Sequence, residues 1–387
     1  MFFNSLKNCY NIGDLRKAAK KKLPLAMFGY LDGYAEDGVT GKRNRETFCQ
    51  YEFITRALVD VEKVDTSTTV LGQTIAFPVI CAPTALSRLF HHDGEIAAAR
   101  AADKADIIYS LSTLSSVSLE EVGEVAKKKW FQLYMYRDRN LVEELVQRAI
   151  DSGYQALCLT TDASIGGNRE QDLRNGFTVP PKPSIKTILE ASLHPSWCWN
   201  YMTQPTINIA NFDESKLIGA DGVSKLLEYV SRQLTPAITW SDVEWLRSRF
   251  PGKLIIKGLL NPNDAMQARS LGVDGLVVSN HGGRQLDHTV TPFDMLPEIV
   301  EAVEDKVEII IDSGIRRGTD VLKAVALGAK ACMIGRPYLY GLSAAGEAGV
   351  DKSLEILRSE IYRDLQLLGC PSISALDSSY LRKVDSA

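Results

Sequence analysis

Leu276-Val277-Val278-Ser279-Asn280-His281-Gly282-Gly283-Arg284-Gln285-Leu286-Asp287 is where the reading starts. Leu276 to Val278 is a short apolar run of the kind that forms a buried strand. It stops at Ser279-Asn280, and His281 and Arg284 follow across two glycines. A base and a fixed cation therefore stand at the C-terminal mouth of a strand. Histidine moves protons near neutral pH, and arginine clamps a carboxylate with two parallel hydrogen bonds. Gly282 and Gly283 carry no side chains, which would let a flat ligand approach the backbone. Taken alone, the stretch reads equally well as a plain strand-to-loop turn with a surface His and Arg.

Working outward, the same kind of run recurs at Pro78–Ala82, Ile107–Leu111, Trp130–Leu133, Ala156–Leu159, Leu254–Ile256, Glu308–Ile311 and Ala331–Ile334. Helical patterns lie between most of them, among them Gly94–Lys104, Leu119–Lys128, Leu141–Ser152, Pro262–Leu271, Pro292–Val303 and Thr319–Leu327. Strands alternating with helices mean a parallel sheet, and eight such units predict an α/β fold that is a closed (β/α)8 TIM barrel. An open doubly wound sheet is the competing architecture, but no Gly-x-Gly-x-x-Gly follows the first strand. Residues 1–65 are expected as an N-terminal helical approach segment, 66–370 as the barrel and 371–387 as a C-terminal tail. Tyr30 and Tyr34, four apart, would share a helix face. A long loop of about 175–215 after the fourth strand interrupts the rhythm, over the mouth where a barrel's site lies.

The chain has 387 residues, 45% hydrophobic and 24% charged, with net charge −4. That balance gives no case for nucleic-acid binding. Its seven cysteines are scattered, with no Cys-x-x-Cys pair, and read as reduced core thiols of a cytosolic protein. No secretory signal and no run of 18 apolar residues is visible. The adjacent His91-His92 do not look like a zinc pair, so no metal site is expected.

Barrel active sites sit where strands end. Those ends carry Pro83-Thr84-Ala85, Ser112, Gln132 with Tyr134, Thr160 with Asp162 and Arg169, Lys257, His281 with Arg284, Asp312-Ser313-Gly314 with Arg316, and Gly335-Arg336. Cations facing one mouth ask for an anion. Backbone amides near Gly314 and Gly335, with Arg336, suit a phosphate, and Arg169 and Arg284 suit a second anion.

These residues resemble the FMN-dependent L-2-hydroxy acid dehydrogenase/oxidase family. The likeness runs through Leu23-Pro24 with Tyr30, Ala35-Glu36-Asp37, Trp130-Phe131-Gln132-Leu133-Tyr134, Asn168-Arg169-Glu170, Lys257-Gly258, Ser279 to Asp287 and Asp312-Ser313-Gly314-Ile315-Arg316-Arg317-Gly318. His194-Pro195-Ser196-Trp197, Ala210-Asn211-Phe212 and Gly369-Cys370-Pro371 look most like its mandelate and lactate dehydrogenase branch. The resemblance implies bound FMN. Backbone from Pro83 to Ala85 would lie along the flavin, and Ser112, Gln132 and Thr160 would hydrogen-bond its ring. Ser279 belongs to the same cofactor set, and Lys257 would stabilise the reduced ring. Asp312, Gly314, Arg316, Gly335 and Arg336 would hold ribityl and phosphate. Tyr30, Arg169 and Arg284 would bind the substrate carboxylate and Tyr134 its hydroxyl, with His281 as base and Asp162 orienting it.

The resemblance further implies a homotetramer that oxidises a small 2-hydroxy acid and gives electrons to a quinone-type acceptor. An oxidase that uses O2 and makes hydrogen peroxide is the alternative. A barrel without redox chemistry, using Lys257 as a Schiff-base lysine, is a third reading. Two positions depart from the branch. Tyr34 stands where a small residue is common, which puts a ring at the entrance, and Ala85 stands where dehydrogenase members often have Gly. Residues 183–211 are rich in Ile185, Leu189, Leu193, Trp197, Trp199, Tyr201 and Met202, with Lys182 and Lys186 nearby. Such a segment suits peripheral contact with the cytoplasmic side of an inner membrane; a lid packed on the barrel is the competing reading.

Overall fold

The computed structural model describes residues 6–178, 185–203, 207–212, 228–230 and 232–384. Eight parallel strands close into a barrel: β1 (Val79–Cys81), β2 (Tyr109–Ser112), β3 (Lys129–Tyr134), β4 (Ala156–Thr160), β5 (Lys253–Leu259), β6 (Gly275–Val278), β7 (Glu308–Ile311) and β8 (Ala331–Ile334). Closure is made by β8 against β1, with Cys332 beside Val79 and Ile334 beside Cys81. This removes the open-sheet reading. The strands are nearly all buried, because side chains point either into the barrel or against the surrounding helices. That two-sided burial is why they read as continuous apolar runs.

The helices follow the expected pattern, with Gly94–Lys104 and Pro292–Val303 on the bounds read from sequence. Two segments outside the rhythm finish the molecule. Thr68–Val70 and Gln73–Ile75 form a hairpin under the barrel, where Gln73 accepts a hydrogen bond from the Trp130 indole (2.7 Å) and the Leu71 amide donates to Glu308 (2.8 Å). Tyr51–Phe53 pairs antiparallel with Leu381–Lys383, so the segment after residue 371 is tied to the N-terminal one.

The N-terminal helix Leu25–Asp32 ends at Gly33. Tyr30 is therefore on the helix and Tyr34 is beyond it, so the shared face expected for the pair does not form. At the other end, Arg336–Leu368 is broken at Ala345 and Gly346, whose backbones leave helical geometry (φ −162° and +61°). After β4 the chain carries the single turn Glu170–Arg174 and then the short helices Ile185–Ser192 and Pro195–Thr203. Among the described residues, no helix is long and apolar enough to cross a membrane.

Candidate active site

A cavity of about 860 Å³ opens where the strands end. Its wall includes Tyr30, Pro83, Thr84, Ala85, Ser112, Tyr134, Arg169, Lys257, His281, Arg284, Asp312, Gly314, Arg316, Gly335 and Arg336. Asp162, Gln132, Thr160 and Ser279 are not on that wall; of these, Asp162, Gln132 and Ser279 hydrogen-bond residues that are. Ser112 Oγ donates to Gln132 Oε1 (3.1 Å). Lys257 Nζ donates to Ser279 Oγ (2.8 Å).

His281 Nδ1 lies 2.9 Å from Asp162 Oδ1. Burial works against the Asp162 carboxylate, but the His281 ring and the Lys257 ammonium outweigh it, and its pKa falls below the usual range. An ionised carboxylate there requires the hydrogen on Nδ1, which leaves Nε2 with a free lone pair. His281 itself sits at φ +57°, a region non-glycine residues rarely adopt, and Ser279 Oγ accepts from its amide (3.0 Å).

Lys257 is only 4% exposed and ion-pairs with Asp312 (3.0 Å). Burial lowers its pKa, yet Asp312 and Asp162 more than compensate and raise it. A lysine held this firmly protonated is a poor nucleophile, which removes the Schiff-base reading. Gly258 follows because a Cβ there would lie 2.6 Å from the Asp162 side chain. The sheet register shifts at this point, between Lys257 and Leu259.

The two arginine sites expected from sequence meet at one atom. The Gly33 carbonyl accepts from Arg284 (2.9 Å) and from Arg336 (2.7 Å). Burial, then repulsion by Arg169 and Arg336, push the Arg284 guanidinium down to about 10. An anion bound between these cations would relieve that repulsion. Tyr30 carries Arg284 and Arg169 over its ring at 5.0 and 5.6 Å. Tyr34 does not line the cavity. Its ring stacks under the Arg336 guanidinium at 4.6 Å and fills the space of the missing Gly41 side chain, so the expected ring at the entrance is instead a support behind an arginine.

Gly282 lines the cavity and Gly283 does not, and both are also crowded from within the protein. A Cβ on Gly282 would lie 2.8 Å from Arg336, and one on Gly283 would lie 2.7 Å from the Gly41 backbone. The close approach they permit is made by the protein itself. Asn280 pairs reciprocally with Asn44 (2.7 and 2.8 Å), and Asp287 accepts from the Thr40 amide (2.7 Å). Much of the opening stretch thus fastens the N-terminal segment over the barrel.

Sequence reasoning missed Phe177, Phe90 and Asp172. Phe177 stacks on Tyr30 at 4.3 Å and Phe90 lies 6.3 Å from the same ring, giving the mouth an aromatic wall. Asp172 pairs with Arg169 (3.2 Å), three residues apart at a helix start, a spacing that could have been noticed. His91, His92 and Asp93 bring one ligand atom each within 4.8 Å, outside this cavity.

Two buried atoms here lack partners, Arg336 Nε on the wall and Gln132 Nε2 behind it. Gly335 has no neighbour closer than 3.6 Å to the position of a Cβ. Unmet donors, room beside a helix start, and an excess of cations over the Asp312 carboxylate fit a flavin ring with a phosphate.

The FMN-dependent dehydrogenase family model matches residues 19–383, and this chain belongs to that family. It is 43% identical over 376 residues to an L-lactate oxidase of Nostoc, covering 96% of this chain and 97% of the relative. It is 40% identical over 377 residues to an (S)-mandelate dehydrogenase of Pseudomonas putida, covering 97% and 94%. A crystal structure described as the monotopic membrane protein (S)-mandelate dehydrogenase superposes with a TM-score of 0.94, at 40% identity and covering 97% of this chain and all of that one. The chain is an FMN-containing oxidoreductase acting on 2-hydroxy acids.

Proposed function

We propose that the enzyme oxidises a hydroxy acid of the mandelate or lactate type to its 2-keto acid and delivers the electrons to a quinone-type acceptor at a membrane surface. Bound FMN supplies the two-electron sink for this reaction. Arg169 and Arg284 hold the carboxylate with Tyr30 beside them, and Tyr134 meets the 2-hydroxyl. Burial and the Asp162 charge push the Tyr134 phenol up, so it keeps its proton and can donate. His281 Nε2 takes the substrate proton, and Asp162 stabilises the imidazolium that results. On the cofactor side, the Pro83–Ala85 backbone and Ser112 meet the ring, with Gln132 and Thr160 next to them just behind the wall. Lys257, with Ser279 and Asp312 behind it, lies at the edge where negative charge collects. Gly314, Arg316, Gly335 and Arg336 hold the phosphate end.

The observation that carries the membrane reading is an exposed apolar face. Leu189, Leu193, Trp199 and Met202 are 65%, 75%, 69% and 81% exposed on the two short helices after β4. Trp197 faces the other way and donates to the Leu89 carbonyl (2.9 Å), so it anchors the helix to the barrel and is not part of that face. Lys182 and the side chains of residues 185–188 lie outside the described residues. A row of large apolar side chains rimmed by polar ones suits the interfacial region of a bilayer, here the cytoplasmic face of an inner membrane.

The oxidase alternative rests on Ala85, which lines the cavity, and on the likeness to a lactate oxidase. Turnover with mandelate, lactate and glycolate, in air and then with a quinone, separates the two; peroxide formed as fast as keto acid favours the oxidase. Replacing residues 183–211 by a short polar loop should abolish sedimentation with membranes while dye-coupled activity survives. An unaltered protein that stays in the supernatant overturns the membrane reading. A homotetramer is part of the same proposal and is read from the solution mass.

Tyr34→Ala should weaken FMN retention roughly fivefold, since a cation–π contact contributes about 1 kcal/mol. Tyr34→Phe should keep it. Flavin fluorescence released on dilution measures both, and equal release from all three proteins would show that Arg336 needs no such support.

A further inference from the structure

A second cavity, of about 270 Å³, lies beside the first. Its polar lining includes His91, His92, Arg88 and Lys22, its roof is Trp197 and Tyr201, and another wall is Ala344 and Ala348. Three features make it a built site. The break at Ala345-Gly346 opens the wall, and Gly346 is required because a Cβ there would lie 2.7 Å from the His91 ring. The roof helix Pro195–Thr203 is held by the Trp197 anchor and by Trp197 stacked on Tyr201 at 5.2 Å. Its opposite side is the exposed apolar face with Trp199 and Met202. His92 Nδ1 is buried without a partner, while its Nε2 lies 3.3 Å from Asp93.

The cavity is also coupled to the active site. Phe90 lines both, and its ring stacks on Tyr30. A mainly apolar chamber with two unmet polar atoms, His92 Nδ1 and Arg88 Nε, under a lipid-facing helix and one aromatic ring from the flavin cavity, suits a ring-shaped, lipid-soluble electron acceptor.

We propose that this second cavity is the acceptor site and takes the ring of a quinone, its tail leaving along Pro195–Thr203 and one ring oxygen meeting His92. This rests on the quinone reading above. The balance closes. Oxidation of the hydroxy acid breaks one C–H and one O–H bond and releases two electrons and two protons. The quinone takes two electrons, passed through FMN, and two protons to become the hydroquinone. With Asp93 holding the Nε2 hydrogen, the His92 Nδ1 lone pair can take up a proton from solvent and hand it to a quinone oxygen as the electrons arrive, and the second proton comes from solvent directly. Burial pushes the neighbouring His91 down to about 4, which leaves Arg88 and Lys22 as the fixed cations lining the chamber, placed to attract the negative charge of a reduced ring oxygen.

The test uses FMN-loaded enzyme and a benzoquinone with a short alkyl tail. Tryptophan fluorescence of the oxidised wild type should be quenched saturably. Ala348→Phe, which puts a ring into the cavity from its wall, should raise both the quenching midpoint and the KM for quinone by roughly tenfold or more, the effect of about 1.4 kcal/mol of lost binding. His92→Phe should lower quinone-driven turnover without changing flavin reduction by the hydroxy acid. Ferricyanide-driven turnover should be unchanged in both variants. Quinone kinetics and quenching alike in wild type and both variants would overturn the proposal and send quinone through the active-site mouth. If no hydroxy acid reduces the flavin, the catalytic reading fails, and quenching in the wild type against Ala348→Phe still decides the cavity.

Discussion

Replacing His281 by alanine is expected to slow flavin reduction by a 2-hydroxy acid by about 10²–10⁴-fold, the usual contribution of a positioned base, with FMN still bound. The ring has one nitrogen committed to Asp162 at 2.9 Å and lines the cavity with the other free. It donates no hydrogen bond to a residue assigned to the cofactor; only its backbone amide does, to Ser279. Stopped-flow reduction under anaerobic conditions reads the chemical step, and flavin content after gel filtration reads retention. Asp162→Asn should show a smaller loss in the same step, because the neutral amide neither requires the productive tautomer nor stabilises imidazolium. A His281→Ala enzyme that reduces its flavin at the wild-type rate would remove His281 from the base position.

Lys257→Met is expected to destabilise the fold by about 3–5 kcal/mol, the cost of stripping one partner from a buried ion pair. Asp312 would keep only the Ser313 hydroxyl (2.7 Å), and Ser279 would lose its donor. The double variant Lys257→Met with Asp312→Asn should recover a large part of the loss, since no buried charge is then left alone. Urea unfolding of the three FMN-loaded proteins measures this. A single variant that loses under about 1 kcal/mol would place the pair in the range of solvated surface bridges. Flavin reduction should stay slow in the double variant, because the positive charge near the ring is absent in both.

All eight barrel strands were legible because each is buried on both faces and so carries one unbroken apolar signal, as Ile309 to Ile311 and Leu276 to Val278 do. Helix bounds such as Pro292–Val303 were legible because Thr291 caps the start and Pro292 fits the first turn. The hairpin Thr68–Ile75 and the pair Tyr51–Phe53 with Leu381–Lys383 were not. Each strand is three residues long, too short for periodicity, and the second pairing joins the two ends of the chain. The break at Ala345-Gly346 was hidden inside a pattern that stays helical on both sides.

For the site, strand-end position marked the cavity wall but could not separate residues on it from those behind it. Asp162 and Ser279 act through His281 and Lys257, a distinction that needs side-chain directions. Tyr34 was misplaced because its helix stops two residues earlier than the apolar pattern suggests. The glycines at 282 and 283 signalled close approach correctly, but not that Arg336 and Gly41 were what approached.

The most direct measurement is an anaerobic titration of the purified yellow protein with (S)-mandelate and L-lactate, following flavin absorbance and 2-keto acid together. Loss of the oxidised flavin band in step with keto acid formation, by at least one of the two and not with the Arg284→Leu variant at the same concentration, is the predicted result. A flavin band left unchanged by these and every other 2-hydroxy acid tried would contradict it.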